Sequence, residues 1–471
     1  MKFSTWATTA FVALTVAVAV WPGGGGLAGK TRVRMAVWGM PFEDRLFRDG
    51  YARTFESLFP RCGVDYVRLA DLRTKYNAWA TRRVGMEIMR IEATWYADFA
   101  ARGLIEPLSA RVRDPQRGLS LAAFPPHLLE MLDRGGEIYA LPQDNAQAGL
   151  FYNKSIFDEW NAAHPDDPVE YPREGWTWED LRRTARKLTV RSDSGEIVRA
   201  GFDIPVWAWS FMTFFVQAGG QLWSDDGRDC LVNSAAGIEA LAFLRAMQRE
   251  DRSFSPTISG YLAGAGADAL FARGRTAMYI DGSWRVPNFD ATAPDLRYAV
   301  APLPRGRVPA VVSGSCLWAI SAYAENKDEA WEMLRFLVSD DSAAAYWDAL
   351  RVAPPANMNV VNSPAFRSAA GTPKDLPGLS RGYDVPPLAE SEFDGKVAWL
   401  MYGYRPDRET GRVPAFVHSH EFAGDLQDEL TRMLGEYLTD GSVLTERRAL
   451  DAVVRNLKHA MEQAGSGSGE R

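Results

Sequence analysis

Residues 32–69, RVRMAVWGMPFEDRLFRDGYARTFESLFPRCGVDYVRL, decide the fold class of this 471-residue chain. Apolar side chains alternate with their neighbours over residues 32–38, which is the pattern of a half-buried strand. They then recur at helical spacing over residues 47–58 until Pro60 stops the run, and residues 64–69 have the pattern of a second strand. The stretch therefore predicts a β-α-β unit and an α/β domain whose parallel strands are covered by helices.

The length and composition predict a globular protein of two or more domains. Hydrophobic residues make up 46% of the chain and charged residues 24%, as in folded proteins rather than disordered or multi-span membrane proteins. The formal net charge of −7 argues against a general nucleic-acid binder, because such proteins carry a basic surface. With 16 Trp and 16 Tyr, the chain has enough aromatic residues to fill its cores and also line a binding cleft.

Residues 1–29 are predicted to be a signal peptide. Lys2 is the only charged side chain before Lys30, and residues 3–21 are apolar or hydroxylic throughout. Residues 22–29, PGGGGLAG, then supply a helix stop and a small-residue cleavage region. The alternative is an uncleaved anchor, because about twenty apolar residues can span a bilayer. Both interpretations place the rest of the chain outside the cytoplasm, in the periplasm or at the outer face of the cytoplasmic membrane.

Other segments predict further helices, a strand and loops. Thr177 is the expected N-cap of one helix, and residues 326–329 have the form of a capping box before another. Residues 275–280 alternate like a strand, whereas residues 352–387 are rich in Pro, Asn, Ser and Gly and are predicted to be mainly loop. The Gly- and Ser-rich tail, 465–471, is expected to be flexible.

The cysteines and histidines do not predict a metal site. Cys62, Cys230 and Cys316 are far apart and lack the spacing of metal ligands. Cys316 lies in an apolar run that favours a buried free thiol, while a disulfide between Cys62 and Cys230 has no support beyond an oxidising compartment. His418 and His420 would share a face in a strand, but an ordinary polar loop is the favoured interpretation.

Five segments, taken in order, resemble those of one protein family. They are IEATWYADFAARGLIEPL (91–108), IYALP with LFYNK (138–154), GWTWEDL (175–181), FARGRTAM with GSW (271–284), and APLP, SG and NKDEAW (301–331). Together they resemble the family 1 extracellular solute-binding proteins, which include the maltose-binding protein. Lys30 departs from the family pattern, because many bacterial relatives carry a lipidated cysteine there. From about Pro354 onward the match is loose.

The resemblance implies an α/β fold of the two-lobed periplasmic-binding-protein type (type II), with a ligand cleft between the lobes. Three crossing segments are expected, near residues 143–148, 298–303 and 340–346. The corresponding ranges are 30–142 and 303–340 for lobe one, and 148–298 and 345–464 for lobe two.

The resemblance also implies a carbohydrate ligand, whose chemistry limits the residues that can bind it. A pyranose has apolar C–H faces that stack on aromatic rings, and a rim of hydroxyls that bind carboxylates, amides or guanidinium groups. The candidate ligand-binding residues are Trp284, Trp95, Glu92, Asp144, Asn145, Trp38, Gly39 and Arg351.

Trp284 is the leading candidate. It follows the turn that ends a predicted strand, and the resemblance implies a stacking aromatic at this position, although a core tryptophan is the alternative. Glu92 and Trp95 lie where a predicted strand enters a helix, which is the edge where open α/β sheets bind ligands. Glu92 can instead serve only as a helix cap that matches the helix dipole. Trp207 and Trp209 adjoin an apolar run, so a core position is at least as well supported for them.

The remaining candidates follow from their places along the chain. Asp144 and Asn145 lie on the first crossing and so border the cleft. Trp38 and Gly39 follow the first strand, as Trp95 follows a later one. Arg351 comes after the third crossing, where it can bind a hydroxyl or remain solvated.

The expected function is capture of a carbohydrate by lobe closure and its delivery to the transmembrane subunits of an ABC importer. The protein is expected to be monomeric and to bind no nucleic acid. No catalytic residue, metal or cofactor is expected, because the sequence lacks a phosphate loop, a dinucleotide fingerprint and a nucleophile elbow.

Two alternatives remain open at this point. One is a binding protein for a non-sugar solute. The other is a glycoside hydrolase, which would need two carboxylates about 5–10 Å apart. Glu92, Asp98, Asp144 and Asp281 supply carboxylates, so composition alone does not exclude it.

Overall fold

The computed structural model describes residues 29–254, 266–364, 366, 415–417, 420–439 and 441–467. Residues 1–28 of the predicted signal peptide, His418, and most of the loop predicted from residue 352 lie outside this part of the chain. Within it, we find no helix that is both long enough and apolar enough to span a membrane.

The strands of the described residues form two sheets. In chain order they are β1 (Thr31–Val37), β2 (Cys62–Arg68), β3 (Ile88–Glu92), β4 (Ala140–Pro142), β5 (Ala146–Asn153), β6 (Val190–Arg191), β7 (Ile197–Asp203), β8 (Thr276–Gly282), β9 (Tyr298–Ala301), β10 (Val311–Gly314), β11 (Cys316–Ala319) and β12 (Ala415–Val417). The first sheet has the order β2-β1-β3-β11-β4. The second has the order β12-β10-β5-β8-β7-β6, and β9 pairs with β5. We call the bodies built on these sheets lobe one and lobe two.

Helices cover both sheets. In chain order they are α1 (Ala52–Leu58), α2 (Leu72–Ala80), α3 (Ala93–Ala101), α4 (Ser109–Val112), α5 (Pro126–Leu132), α6 (Lys154–Ala163), α7 (Trp178–Leu188), α8 (Ala208–Gln217), α9 (Ala235–Arg245), α10 (Ala267–Ala272), α11 (Arg285–Thr292), α12 (Lys327–Leu337), α13 (Asp340–Leu350), α14 (Met358–Val361), α15 (Ala423–Leu438) and α16 (Glu446–Gly467). Two short 3-10 turns (Pro41–Glu43 and Leu121–Ala123) and two π-helical turns (Arg45–Tyr51 and Ala246–Glu250) complete the set. The predicted α/β class is confirmed.

Each lobe has its own hydrophobic core. In lobe one, Trp318 and Trp331 are fully buried between the sheet and its helices. In lobe two, one face of the sheet packs on a core that includes Leu241 and Leu434. The other face packs on a smaller cluster around Phe151. Sequence periodicity predicted these layers because the buried positions of β1 and the helices recur at strand and helix spacing.

Over the described residues, the chain passes between the lobes three times. The first passage, residues 143–145, connects β4 to β5, and Ser315 alone separates β10 from β11 at the second. The third is α13, where Tyr346 packs in the core of lobe one and Trp347 packs in the smaller cluster of lobe two. The first and third passages lie close to their expected positions.

The second passage comes later than the expected residues 298–303. Strand β9 occupies most of that range and belongs to the sheet of lobe two. The chain then stays on lobe two, where the backbone N–H of Arg305 donates to the carbonyl of Trp176 at 2.8 Å, and β10 joins the same sheet. Residues 303–314 therefore lie in lobe two rather than lobe one. Their Pro and Gly content hides the strand periodicity that would have placed them.

The helix ends agree with the sequence prediction at one position and differ from it at two. Thr177 caps α7 as predicted, and Asp180 returns the bond in a capping box. Asn326 precedes α12 but makes no capping bond, so the predicted capping box is wrong. Its amide instead donates to the carbonyl of Arg32 at 2.9 Å, which ties the helix start to β1. Helix α16 continues to Gly467, past the predicted start of the flexible tail.

The cysteines do not pair. Cys62 is buried in the core of lobe one and Cys230 in that of lobe two, so the two thiols belong to different bodies. Cys316 is a partly buried free thiol at the start of β11. The disulfide considered between Cys62 and Cys230 is therefore absent.

Candidate functional site

The carboxyl ends of two parallel strands place a pair of tryptophans on lobe one. β1 and β3 are neighbours, and Trp38 follows the first while Trp95 lies in the first turn of the helix after the second. The two indole rings meet edge to face, with centroids 5.5 Å apart and planes at 71°. Trp38 is partly buried, whereas Trp95 is buried and only 8% exposed. We call this pair the first-lobe rim.

Gly39 permits a close approach beside the first-lobe rim. A Cβ at this position would contact the Glu43 carboxylate and would lie 2.7 Å from Nη1 of Arg90. Any larger residue would therefore displace these two side chains. The ion pair between Arg90 and Glu43 therefore requires a glycine at position 39.

Lobe two has the same arrangement with three tryptophans. β7 and β8 are parallel neighbours, and the chain beyond them carries Trp207 and Trp284. Trp284 stacks on Trp209 with ring centroids 5.0 Å apart and planes at 28°, while Trp207 meets Trp284 edge-on at 5.9 Å. We call these three residues the second-lobe rim. They are each partly buried, unlike the fully buried tryptophans of the cores.

Trp284 connects the two lobes. It follows strand β8 of lobe two by two residues, and its side chain packs against the core of lobe one. Gly282 lies directly beneath the ring, because a Cβ there would clash with it. Trp95 lies on α3, which contacts α15 (Ala423–Leu438) of lobe two, so Trp95 and Trp284 are both at the boundary between the lobes.

Two rim residues were not among the predicted site residues. The sequence supports a core position for Trp207 and Trp209 at least equally, because they adjoin an apolar run, and this run is almost wholly buried in α8. Their place depends on β7 being parallel to β8, and sheet order cannot be read from the sequence of either strand. The sequence feature that could have indicated a rim position is the short distance from the end of β7, at Asp203, to Trp207.

Asp144 lies in a buried ion-pair network at the first passage. Its Oδ2 is 3.5 Å from Nη2 of Arg90 and accepts a bond from the Tyr346 hydroxyl at 3.1 Å. Its Oδ1 accepts from the backbone N–H of Cys316 at 2.8 Å. Arg90 also pairs with Glu43 at 2.9 Å. With a side chain 3% exposed, Asp144 is held by protein groups rather than presented to the cleft.

We call Glu43, Arg90, Asp144 and Tyr346 the hinge network, because it joins β3, the first passage and α13. Burial disfavours the charged guanidinium, yet the surrounding acidic groups raise the pKa of Arg90 above its ordinary value. Arg90 therefore stays cationic, and its charge compensates two buried carboxylates. Of the sequence-predicted site residues, Asp144 belongs to this network, the Trp38 carbonyl accepts a bond from Nη1 of Arg90 at 3.1 Å, and Gly39 lies against Glu43 and Arg90.

Asn145 and Arg351 are also buried at the passages. The Asn145 amide lies 3.3 Å from Nε2 of His127, and its backbone N–H donates to the carbonyl of Pro354 at 2.9 Å. Arg351 follows α13 with a φ of 48°, a left-handed conformation that costs energy for a residue with a side chain. Burial lowers the pKa of Arg351, and among the described residues its Nη1 has no hydrogen-bond partner.

Glu92 lies where lobe one meets α15 of lobe two. It ends β3, and its backbone pairs with that of Cys316 in β11. Burial raises the pKa of Glu92 to about 7, although Thr94, Arg73 and Gln427 favour the charged form. Glu92 makes no capping bond to α3, so the capping role considered for it is not observed.

The arrangement can bind a flat, hydroxylated molecule. The two rims offer indole faces from opposite lobes, and Glu92 adds a carboxylate at the same boundary. Among the described residues, no group of His, Cys, Asp and Glu is arranged to hold a metal ion. The indole faces can stack on a ligand, and the Glu92 carboxylate can accept hydrogen bonds from it.

Comparisons with known proteins agree with this architecture. The family model of the bacterial extracellular solute-binding proteins matches residues 84–344. A putative binding protein of Brucella abortus is 26% identical over 263 residues, which is 54% of this chain and 59% of the relative. The maltotriose-binding protein of Pyrococcus abyssi is 22% identical over 324 residues, which is 65% of this chain and 63% of the relative. The chain thus spans less than two thirds of these relatives.

A solved structure extends the likeness in fold over nearly the whole chain. The ABC substrate-binding protein of Listeria monocytogenes in complex with cycloalternan superposes with a TM-score of 0.73 at 19% identity. The superposition covers 92% of this chain and 99% of the Listeria protein, and so confirms the two-lobed fold. Because the family match spans more than half of the chain, this protein belongs to the bacterial extracellular solute-binding proteins.

Proposed function

We propose that the protein captures a carbohydrate between its lobes and delivers it to the transmembrane subunits of an ABC importer. The observation that carries the proposal is the position of Trp284. This residue stacks on Trp209 in lobe two and also packs on the core of lobe one. An aromatic ring at the boundary between the lobes can stack on a sugar while it also contacts both lobes, so that the sugar stabilises their closed arrangement.

The chemistry of the site supports a sugar over other solutes. A pyranose ring presents C–H faces to indoles, and two rims on opposite lobes can contact both of its faces or two successive units. Glu92 supplies an acceptor for hydroxyl groups, and Arg351 offers an N–H donor if the passage opens. Asp144 and Asn145, by contrast, serve the ligand indirectly by fixing the first passage.

The mechanism is closure of the lobes around the ligand. Two bodies joined by three passages can rotate about them, and a ligand that touches both lobes stabilises the closed form by its differential affinity. The transmembrane subunits then distinguish the closed, loaded protein from the open one. No covalent step is required.

The names of relatives support an oligosaccharide as the ligand. The Pyrococcus relative is a maltotriose-binding protein, and the Listeria structure contains cycloalternan. Five tryptophans in the two rims provide more stacking surface than one sugar ring can cover. We therefore propose a ligand of two or more units.

The glycoside hydrolase is the weaker alternative. It needs two carboxylates that flank the scissile bond, one of which is free to donate a proton. Asp144 is held in the hinge network, and Asp281 is ion-paired with Arg285 at 2.6 Å and bonded to Tyr279. Glu92 and Asp98 remain, and Asp98 pairs with Arg102 at 3.1 Å. We propose binding without hydrolysis.

Calorimetric titration with maltotriose, a galactooligosaccharide and a polyamine tests the proposal, and chromatography of the same mixtures tests for product. We expect heat of binding with an oligosaccharide and no shortened product. Binding of the polyamine alone would establish the non-sugar alternative, and product formation would establish the hydrolase. For variants of the rim tryptophans, Trp160→Ala is the control, because Trp160 lies outside the rims, is partly buried in lobe two and stacks on His164.

The location of the protein is also part of the proposal. We propose that it acts as a monomer on the outer side of the cytoplasmic membrane, with the signal peptide removed near Lys30 and no nucleic-acid partner. Intact mass of the exported protein tests cleavage, because retention of Met1 would favour the anchor. Light scattering tests the monomer.

A further inference from the structure

Helix α15 carries a contact from lobe two to lobe one that the sugar site does not require. Leu426 and Leu430 fix the helix in the core of lobe two. Gly424 and Asp428 lie on its opposite face, one turn apart. A Cβ at Gly424 would clash with the guanidinium of Arg73, so the end of this side chain of α2 lies directly against the backbone of α15.

Arg73 is the cation of this contact. Its guanidinium lies 3.9 Å from the Asp425 carboxylate and 3.7 Å from that of Asp428, both on α15. Gln427, from the same turn, lies beside Glu92 at the end of β3. Ion pairs and an amide therefore link the lobes where the cleft closes, without any ligand.

Carboxylates outnumber cations around the contact. Glu92 and Asp98 approach from lobe one, and Asp425 and Asp428 from lobe two. Among the described residues, the guanidinium of Arg73 acts on all four of these carboxylates. The other charged groups nearby already have partners on their own helices. Arg102 pairs with Asp98 on α3, and Glu429 pairs with Arg432 on α15.

Burial at the contact favours the protonated acids. It raises the pKa of Glu92 to about 7 and also raises the pKa of Asp98 and Asp428. Opening of the lobes would return these carboxyls to water and to their ordinary pKa values. A raised pKa in the closed form means that closure takes up protons. The closed form is therefore favoured as the pH falls below about 7, and this contribution is lost as the pH rises through it.

We propose that Arg73 and the first two turns of α15 form a clasp that closes the cleft without ligand, more strongly under mildly acidic than mildly alkaline conditions. The clasp rests on the proposed function only in that it takes the cleft between the lobes as the ligand site. It would let acidity set how much of the protein is already closed when a ligand arrives.

Small-angle scattering of the ligand-free protein tests the clasp. We expect the radius of gyration to be smaller at about pH 5.5 than at about pH 8, by a shift on the order of 1 Å for hinge closure. Arg73→Met should enlarge the radius at the lower pH. Arg111→Met is the matched control, because Arg111 has the same 24% side-chain exposure and pairs with Asp328 within lobe one. Glu92→Gln should weaken the pH response, because glutamine cannot titrate.

Two results would overturn the proposal. Equal radii for Arg73→Met and Arg111→Met, with both variants folded by circular dichroism, would show that Arg73 holds no clasp. If the radius of Glu92→Gln changed with pH as much as that of the wild type, protonation of Glu92 would not be what favours closure. Neither result concerns sugar binding, which calorimetry measures separately, so failure of the clasp and failure of the proposed function are distinguishable.

Discussion

The two rims and the hinge network occupy the same boundary between the lobes but are built from different chemistry. The rims are indoles that contact one another through ring faces and edges, and all but the buried Trp95 are partly exposed. The hinge network is fully buried, and Arg90 there compensates Glu43 and Asp144 at short range. Indole faces can exchange protein neighbours for a sugar at little cost, whereas buried charges cannot lose their partners. We therefore propose that the rims bind the ligand and that the hinge network stabilises the connection between the lobes.

Arg90→Met should produce the largest effect and should act on stability. The variant leaves Glu43 and Asp144 as uncompensated buried carboxylates, which costs roughly 3–5 kcal/mol of unfolding free energy. Urea denaturation measures this loss. Arg111→Met, which breaks a more exposed ion pair, should cost no more than about 1 kcal/mol.

A triple variant sharpens this test. When Arg90→Met is combined with Glu43→Gln and Asp144→Asn, no buried charge remains, so much of the lost stability should return. An Arg90→Met protein as stable as the wild type would show that the network carries no such role.

Trp284→Ala should act on affinity instead. We expect sugar binding to weaken by about 2 kcal/mol or more, which is roughly a thirty-fold rise in dissociation constant. A core tryptophan would instead cost about 3–5 kcal/mol of folding stability and leave the affinity of the folded fraction unchanged. Calorimetry and urea denaturation on the same protein separate these outcomes, and Trp160→Ala should leave the affinity unaltered.

Trp209→Ala should have a smaller effect of the same kind. Trp209 stacks on Trp284 and positions its ring, and aromatic pairs contribute about 0.5–1.5 kcal/mol beyond their buried area. We expect a loss of affinity near 1 kcal/mol, measured by calorimetry. A loss as large as that of Trp284→Ala would mean that Trp209 itself contacts the sugar.

Glu92→Gln should give the smallest effect, seen in the pH dependence of stability. Because the folded-state pKa of Glu92 is raised to about 7, its ionisation makes the wild type less stable as the pH rises from about 4.5 to about 7. Glutamine removes that dependence. The variant should gain stability relative to the wild type between about pH 5 and about pH 8, as measured by urea denaturation at both values. The gain should stay below the roughly 2.5 kcal/mol that the full shift implies, because opening of the lobes can return the Glu92 carboxylate to water. If the unfolding free energies of the wild type and the variant changed in parallel with pH, the raised pKa of Glu92 would be contradicted.

The sequence supported the fold and the rims better than it supported the hinge. The strand pattern of residues 32–38 and the family motifs predicted the α/β class, the family and the positions of Trp38, Trp95 and Trp284. Parallel strands deliver residues after their carboxyl ends to one edge, and this is a local rule. The roles of these tryptophans in sugar binding remain predictions.

The hinge required information that no local pattern contains. Asp144 was read as a ligand contact because it lies on a passage, but its partners Arg90 and Tyr346 are distant in the chain. Only the assembled sheet of lobe one and α13 bring these groups together. The second passage was misplaced for a similar reason, because the four-residue strand β10 follows a Pro- and Gly-rich stretch without periodicity.

Small-angle scattering during titration with an oligosaccharide tests the central claim most directly. The experiment belongs at about pH 8, where the proposed clasp is weakest and the ligand-free lobes are most open. We expect the radius of gyration to fall as the sugar saturates the protein, with a midpoint that matches the calorimetric dissociation constant. Saturation by the sugar at a constant radius would contradict the claim that the lobes close around a carbohydrate.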